Sequence, residues 1–325
     1  MNANQPQPYS LWIARGAPPH APLSGDTTVD VAVVGGGIVG LTAAALLRAG
    51  GRRVAVIESR SMGQQTTGGS SAKITSQHSL IYTGLAKTFD EATARIYAEA
   101  NSWAVDWLTG RITKLGIECS YEERPAYVFT NDPGRVDELE KEARFAASLG
   151  LPARFATSVP LPVPAVGAVI FDGQAQFDPY AYAAAEAKRF TDDGGLFYED
   201  TRVTEIDSSS SPVRVVTERG VVTANDMILA TNLPIDDSGQ YFAKAFPIAH
   251  LVIAARVEGD PPDGMFIIID QPTHSMRWHR DAQGKLWMLS LGPRFRTGAE
   301  DTDAGFRDLE AWTRQYFPIG PVEYR

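Results

Sequence analysis

The sequence is poor in the residues that build metal centres and covalent cross-links. It contains one cysteine, Cys119, and five histidines in 325 residues. A single cysteine excludes an internal disulfide and any cysteine-rich zinc or iron–sulfur centre made by this chain alone. The histidines also lack the spacing of metal ligands. We therefore expect no metal site.

Long apolar runs and an excess of positive charge are absent as well. No stretch approaches the ~20 apolar residues that a transmembrane helix needs. The net charge of -9 argues against a binder of nucleic acids or anionic membranes. The first residues have neither the basic nor the apolar segment of a secretion signal. We expect a soluble, cytoplasmic protein whose partner is a small molecule.

A strand–helix–strand pattern follows an N-terminal arm. Residues 1–28 are rich in proline, glycine and polar residues, which predicts an extended arm. The apolar, β-branched run Val29–Val34 predicts a buried strand. Ile38–Ala49 predicts a helix that ends at a glycine pair, and Arg53–Ile57 predicts the next strand. Such a βαβ unit has parallel strands.

The turn between the first strand and the helix carries a G-x-G-x-x-G motif. Its glycines are Gly35, Gly37 and Gly40, and Ile38 opens the helix. The first glycine permits a tight turn, the second lets backbone approach a pyrophosphate, and the third lets helix and strand pack closely. Glu58 ends the second strand, where an acid accepts from ribose hydroxyls and repels a 2′-phosphate. The motif predicts an adenosine dinucleotide other than NADP.

The first βαβ unit alone does not distinguish NAD from FAD. The nucleotide fold is interrupted for about 100 residues, far longer than an ordinary connection, which favours FAD. Later an apolar strand ends in Ala230-Thr231-Asn232, which resembles the second dinucleotide-contact strand of flavoproteins. Asn232 replaces the usual glycine there, and asparagine tolerates left-handed backbone. An NAD-dependent dehydrogenase and a non-catalytic fragment acting as a binding or electron-transfer module remain alternatives.

The remaining pattern combines helices with a separate block of antiparallel-looking strands. Residues 88–115 predict one amphipathic helix with Ile96 and Trp103 on its core face. Asp178-Pro179 predicts the start of another helix. We expect an α/β fold with a Rossmann-like nucleotide domain and an interleaved α+β substrate domain. The predicted nucleotide domain comprises residues 29–84 and 168–235, and the substrate domain comprises residues 85–167 and 236–325.

Several motifs in order carry a family resemblance. They are the GGGIVG turn with Glu58, the Ser/Thr/Gly loop 66–75, Phe177-Asp178-Pro179 before a helix, Arg202-Val203 in a strand, and the Leu-Ala-Thr turn. The chain resembles the D-amino-acid-oxidase-like FAD oxidoreductases, which include glycine and sarcosine oxidases. Ser10-Leu11-Trp12 and the segment 66–82 are similar to the branch whose members carry a C-terminal Rieske domain.

The resemblance implies that FAD binds in extended form. The glycine turn would face the pyrophosphate, Glu58 the adenosine ribose, and Ser59-Arg60 and the Val203 backbone the adenine, while residues 66–73 would run past the flavin ring. The cofactor-binding residues that it implies are Gly35, Gly37, Ile38, Gly40, Glu58, Ser59, Arg60, Thr66, Thr67, Ser70, Ser71, Ala72, Lys73, Arg202, Val203, Ala230, Thr231 and Asn232.

The implied activity is oxidation of a small amine, amino acid or hydroxy acid by hydride transfer to flavin N5, with oxygen or a Rieske-type protein as electron acceptor. Three residues are candidates for catalysis. Lys73 could stabilise a reduced, anionic flavin, and His78 could act as a base or contact substrate. Arg277 could bind a substrate carboxylate, and it shares a strand face with His279.

The resemblance also implies a closing strand and helix near the C-terminus of the flavin domain. After a helix expected to end near Phe317, residues 318–325 are too few to form them, and no obvious terminal element is visible. The paired cysteines and histidines of a Rieske centre are absent too. We expect a truncated chain or one that another chain completes.

Overall fold

The fold is that of a computed structural model, which describes residues 10–209, 211–235, 239–297 and 302–325. The described chain forms two compact units. The first unit contains Leu11–Ser70 and Asp178–Phe246, and the second contains Ser71–Phe177 and Pro247–Arg325. Residues 1–9 of the predicted arm lie outside the described residues.

Elements are numbered along the chain. The strands are β1 (Thr27–Val34), β2 (Val54–Ile57), β3 (Lys73–Ile74), β4 (Glu122–Glu123), β5 (Ala126–Thr130), β6 (Ala153–Ala156), β7 (Gly167–Phe171), β8 (Ala175–Gln176), β9 (Leu196–Tyr198), β10 (Val203–Asp207), β11 (Val213–Thr217), β12 (Gly220–Leu229), β13 (Ile248–Arg256), β14 (Met265–Ile268), β15 (His274–Arg280), β16 (Leu286–Arg296) and β17 (Val322–Tyr324). The helices are α1 (Ile38–Ala49), α2 (Tyr82–Thr88), α3 (Glu91–Leu115), α4 (Val136–Ser148), α5 (Pro179–Asp192), α6 (Tyr241–Lys244) and α7 (Thr302–Tyr316).

The first unit is built on a six-stranded sheet with the order β10-β11-β12-β1-β2-β9. Strand β1 pairs in parallel with both β2 and β12, so the predicted βαβ unit is confirmed. All four residues of β2 are buried, as expected for a parallel strand covered on both faces. The sheet interior is a cluster of small and β-branched side chains that includes Val29, Ala32 and Val215.

Helix α5 begins as its sequence predicts. The Asp178 carboxylate accepts from the amides of Tyr180 and Ala181, and Pro179 occupies the first helical turn. The same carboxylate pairs with Arg15 of the N-terminal arm. The arm is packed where it is described, because Trp12 is 1% exposed.

The second unit contains an eight-stranded sheet with the order β17-β13-β16-β15-β14-β5-β7-β6, in which only the β14–β5 pair is parallel. Successive residues of β5 belong to different cores: Phe129 packs with Met276 and α7, and Val128 packs with α2, α3 and α4. A small sheet, β3-β8-β4, completes the unit.

The boundaries of the two units differ from the predicted domain boundaries. Residues 71–84 and 168–177 belong to the second unit. The reason is strand pairing: β7 joins β5 and β6, while β3 and β4 both pair with β8. In the first unit, Gly220–Leu229 forms one continuous strand where the sequence indicates two.

The long helix predicted over residues 88–115 is wrong at its start and on its core face. The structure has two helices, because Asp90 caps α3 by accepting from the amide of Thr93 at 2.7 Å. Ile96 is 67% exposed and Trp103 is 65% exposed. The buried face of α3 is formed by smaller residues such as Ala94 and Ala98.

Two further elements were not expected from the sequence. Strand β6 lies within the stretch 151–167, which reads as a proline-rich loop. The last residues form β17, which pairs with β13 at the edge of the large sheet. The prediction that no terminal element follows the last helix is therefore wrong.

Candidate cofactor and active site

The glycine turn after β1 is shaped by two close approaches of backbone. Gly35 has φ +116°, and a Cβ there would lie 2.5 Å from the carbonyl oxygen of Ala230. A Cβ on Gly40 would lie 2.0 Å from the carbonyl oxygen of Gly35. In both cases a Cβ would meet backbone atoms rather than a flexible side chain. A side chain at Gly35 or Gly40 would therefore require the turn to move.

Gly37 is less confined than Gly35 and Gly40, because the atom nearest to a Cβ there belongs to a side chain rather than to the backbone. It is the N-cap of α1 with φ -89°, a conformation that any residue adopts. A Cβ there would meet only the hydroxyl of Thr67, at 3.2 Å. That hydroxyl accepts from the amide of Ile38 at 3.0 Å. The first turn of α1, a 12-residue helix, therefore has a partly exposed surface and no side chain at its cap position. The helix dipole and the free amides of that turn favour an anion there.

The carboxylate of Glu58 lies at the end of β2, beside the glycine turn. One oxygen accepts from the amide of Gly36 at 2.8 Å. The other accepts from the amide of Arg60 at 2.9 Å and from the hydroxyl of Ser59 at 3.2 Å. These bonds fix the carboxylate at the carboxyl end of the parallel strands, where nucleotides bind in open α/β sheets.

The other predicted contacts of the nucleotide end belong to the same unit. Ala230 follows β12, and its amide donates to the carbonyl of Val34 at 2.8 Å. Thr231 donates to the carbonyl of Leu233, and Asn232 has φ +68°, the left-handed conformation that asparagine tolerates. Arg202 directly precedes β10 and Val203 begins it, and this strand lies at the other edge of the sheet from β9.

The Ser/Thr/Gly loop is ordered by its own contacts. Thr67 is buried, whereas Thr66 is exposed. The indole of Trp12 donates to the carbonyl of Ser70 at 2.8 Å. A Cβ on Gly68 would lie 2.5 Å from the Ile13 side chain, so the arm packs closely against the loop.

Ser71, Ala72 and Lys73 begin the second unit, where the ammonium of Lys73 is partly buried. Its Nζ donates to the hydroxyl of Ser275 at 2.7 Å and to the carbonyl of Phe266 at 3.3 Å. Burial, and then the nearby positive charge of Arg277, lower the pKa of Lys73 from 10.5 to about 7. Lys73 can therefore gain or lose a proton near neutral pH.

Arg277 does not reach outward as a carboxylate ligand would. It is 0% exposed, and its guanidinium donates to the carbonyls of Ala72 and Phe177, the latter at 3.1 Å. Ala72 has φ +53°, which is uncommon for a residue with a Cβ. Arg277 thus holds a left-handed turn directly before Lys73.

His78 lies apart from this pair. Its side chain is exposed, and Nε2 is 3.1 Å from the amide oxygen of Asn101 on α3. The partners of the Lys73 ammonium are instead Ser275 and Phe266. The structure therefore brings two of the three catalytic candidates together, and not the third.

The sequence interpretation missed Ser275, the hydroxyl partner of Lys73. The signal was present, because Ser275, Arg277 and His279 alternate along β15 and so share one face. The alternation does not show that β3, which carries Lys73, covers this face of β15.

The residues present fit the adenosine and pyrophosphate parts of FAD. The first unit offers an open helix start at Gly37 and an acid at the end of β2, which is the donor and acceptor set that a dinucleotide requires. Among the described residues, no group of three or more His, Cys, Asp or Glu side chains could hold a metal ion. None of the described helices is long and apolar enough to cross a membrane.

Comparison with curated proteins gives relatives that are longer than this chain. The chain is 31% identical over 293 residues to the putative Rieske 2Fe-2S iron-sulfur protein YhfW of Bacillus subtilis, covering 90% of this chain and 57% of that protein. It is 28% identical over 236 residues to the gamma-glutamylputrescine oxidoreductase of Escherichia coli, covering 70% and 55%. The chain thus spans just over half the length of these relatives.

Solved structures share the fold. L-proline dehydrogenase from P. horikoshii matches with a TM-score of 0.70 and 19% identity, over 91% of this chain and 78% of that one. Glycine oxidase from Geobacillus kaustophilus matches with a TM-score of 0.69 and 19% identity, over 91% and 80%. The expected α/β fold is confirmed.

The family profile described as FAD dependent oxidoreductase matches residues 30–325. This match confirms the predicted resemblance and selects FAD over NAD as the cofactor. The chain belongs to the DAO family of FAD-dependent oxidoreductases.

Proposed function

We propose that this chain oxidises a small amine or amino acid, with FAD as hydride acceptor. The observation that carries the proposal is the open cap of α1 at Gly37 beside the fixed carboxylate of Glu58. The names of the similar proteins support the substrate class, because glycine oxidase, L-proline dehydrogenase and gamma-glutamylputrescine oxidoreductase all name an amine or amino acid. A hydroxy acid is the third class that the test includes.

The first unit supplies the binding energy for the nucleotide part. The amides at the start of α1 would donate to the pyrophosphate, and Glu58 would accept from the ribose hydroxyls. Gly35 and Gly40 act indirectly, by letting β1, α1 and the Ala230 turn approach each other closely. When bound, FAD supplies the redox chemistry, which is acceptance of a hydride at N5.

We assign Lys73 the role of a proton-exchanging cation in the redox step. Its ammonium is held by Ser275 and the carbonyl of Phe266, and its pKa of about 7 allows both charge states near neutral pH. Arg277 is assigned a positioning role, because it holds the carbonyl of Ala72 next to Lys73. We propose that His78 contacts substrate only, because its side chain is exposed and its hydrogen bond is with Asn101 on α3.

The electron acceptor is proposed to be oxygen or a Rieske-type centre. The name of the Bacillus subtilis relative includes such a centre, and that protein is longer than this chain. The single cysteine fits a reducing compartment, and we propose that the protein acts in the cytoplasm. A second candidate function is a flavin-binding electron-transfer module without turnover, which the name of the same relative supports.

The first test is retention of FAD by matched glycine variants. We expect the purified protein to show a flavin absorption spectrum, and Gly37→Ala to bind FAD at least about tenfold more weakly while remaining folded. Gly110→Ala is the control, because a Cβ at that helical position meets nothing within 4 Å. Normal flavin content in Gly37→Ala would contradict the assignment of the pyrophosphate site.

The second test is anaerobic reduction of the bound flavin. Amines, amino acids and hydroxy acids are added to the FAD-loaded protein, and loss of visible absorbance identifies the substrate class. Reoxidation by oxygen and by an added one-electron acceptor then distinguishes the two acceptors. Stable FAD binding with no reduction by any class would favour the electron-transfer module.

A further inference from the structure

Within the first unit, loop 62–70 is bonded to the glycine turn. The amide of Gly63 donates to the carbonyl of Gly36 at 3.0 Å. Further along the loop, the hydroxyl of Thr67 accepts from the amide of Ile38 at 3.0 Å. These two bonds reach the turn on either side of its cap glycine. The position of the loop therefore helps to fix the turn where the pyrophosphate is proposed to bind.

The far end of this loop is held by the N-terminal arm. The indole of Trp12 is 1% exposed and donates to the carbonyl of Ser70 at 2.8 Å. The next residue, Ile13, lies against Gly68, where a Cβ would come within 2.5 Å of the isoleucine side chain. Movement of the loop away from the arm would break the indole hydrogen bond and open this close contact.

A buried carboxylate ties the other end of the loop to the same arm. Glu199 directly follows β9 and is 4% exposed. One of its oxygens accepts from the amide of Met62 at 2.6 Å, and the other accepts from the amide of His20 at 2.7 Å. Hydrogen bonds to an ionised acceptor are stronger than those between neutral groups. Glu199 therefore joins the start of the loop to the arm.

We propose that residues 12–20 of the arm retain FAD by clamping loop 62–70 against the glycine turn. Trp12 and Glu199 are positioning residues, because they act on the loop and the loop acts on the turn. With the loop clamped, the amides of the turn are preorganised for the pyrophosphate, and a preorganised site loses less free energy on binding. The inference rests on the proposed FAD site and goes beyond it, because it assigns retention of the cofactor to contacts outside the glycine motif.

The first experiment measures how fast FAD leaves the loaded protein, from the rise of free flavin fluorescence after dilution. Trp12→Phe removes the indole donor and keeps an aromatic ring, and Glu199→Gln replaces one acceptor oxygen by an NH₂ group. We expect each variant to release FAD about fivefold faster or more, because each loses a hydrogen bond that holds the loop. The matched controls are Trp103→Phe, at a position that is 65% exposed, and Glu140→Gln on the surface of α4.

The second experiment distinguishes a local clamp from a general loss of stability. Amide hydrogen exchange is followed in the flavin-free protein of both variants. We expect faster exchange in loop 62–70 and at Ile38, with unchanged exchange in β1 and β2, because the loop opens without unfolding the sheet. A purely structural role of the arm would raise exchange in the strands as much as in the loop.

Three results would overturn the proposal. They are unchanged FAD release in either variant, faster release with unchanged exchange in the loop, and equal increases of exchange in the loop and in β2. A natural protein that binds no FAD would overturn the proposed function as well. Failure of the clamp and failure of the FAD site are therefore distinguishable.

Discussion

The ionisation of Lys73 gives a sharp prediction about stability and pH. In the unfolded chain the pKa of this lysine is 10.5, and in the folded protein it is about 7. The folded state therefore binds this proton less tightly, so the unfolded state holds more protons between pH 7 and pH 10.5. The free energy of unfolding must then rise with pH through this window. Below pH 7 Lys73 is charged in both states, so the folded protein bears the full free-energy cost of burying that charge.

The magnitude follows from the shift. A difference of 3.5 units corresponds to about 5 kcal/mol in total, of which about 3 kcal/mol is recovered between pH 7 and pH 9. These are upper values, because Lys73 is only partly buried and water reduces the effect. The hydrogen bonds to Ser275 and Phe266 contribute in both charge states and so add little pH dependence.

The perturbation is Lys73→Met, and the assay is urea unfolding of the flavin-free protein at pH values from 6 to 9. We expect the variant to gain stability relative to the natural protein most at pH 6 to 7, with the difference shrinking by 1 to 3 kcal/mol, roughly, by pH 9. Lys188→Met is the control, because Lys188 is 75% exposed on α5 and pairs with Asp192. A difference for Lys73→Met that is constant with pH would refute the argument.

Two further substitutions test the backbone geometry of each unit. Gly40→Ala should lower the free energy of unfolding by about 3 kcal/mol, because its Cβ would lie 2.0 Å from the Gly35 oxygen. Urea denaturation measures this loss, and a stability equal to that of Gly37→Ala would contradict the expectation. Arg277→Met should also cost about 3 kcal/mol, because two buried carbonyls lose a charged donor. A raised KM for carboxylate substrates at unchanged stability would instead show that Arg277 binds substrate.

The first unit could be predicted closely from the sequence because its signals are local. Residues 29–57 contain the strand, the glycine turn, the helix and the second strand in one uninterrupted run, and glycines mark both ends of the helix. Asp178-Pro179 likewise marks a helix start by residues that cap it directly. Such features depend on neighbours in the chain, so that sequence alone displays them.

The errors lie where distant residues decide the structure. Helix α2 was missed because its cap is remote: the Glu142 carboxylate on α4 accepts from the amides of Tyr82 and Thr83 at 2.8 and 2.9 Å. The N-cap residue itself, Ile81, has no side chain that could cap the helix. Trp103 is expected in the core because aromatic residues at helical spacing usually face inward, yet the buried residues of α3 are Ala94, Ala98, Val105 and Ile112.

The assignment of Arg277 shows the same limit at the candidate site. Alternation along β15 groups Arg277 with His279, and the family resemblance favours Arg277 as a ligand of a substrate carboxylate. The layer that covers this face of β15 is formed by β3 and β8. These two strands pair residues about 100 positions apart in the sequence. Once these strands lie over β15, the guanidinium is enclosed and the nearest acceptors are the carbonyls of Ala72 and Phe177. The positive charge of Arg277 adds to the effect of burial in lowering the pKa of Lys73, and we therefore propose that Arg277 positions Lys73 rather than binding a substrate carboxylate.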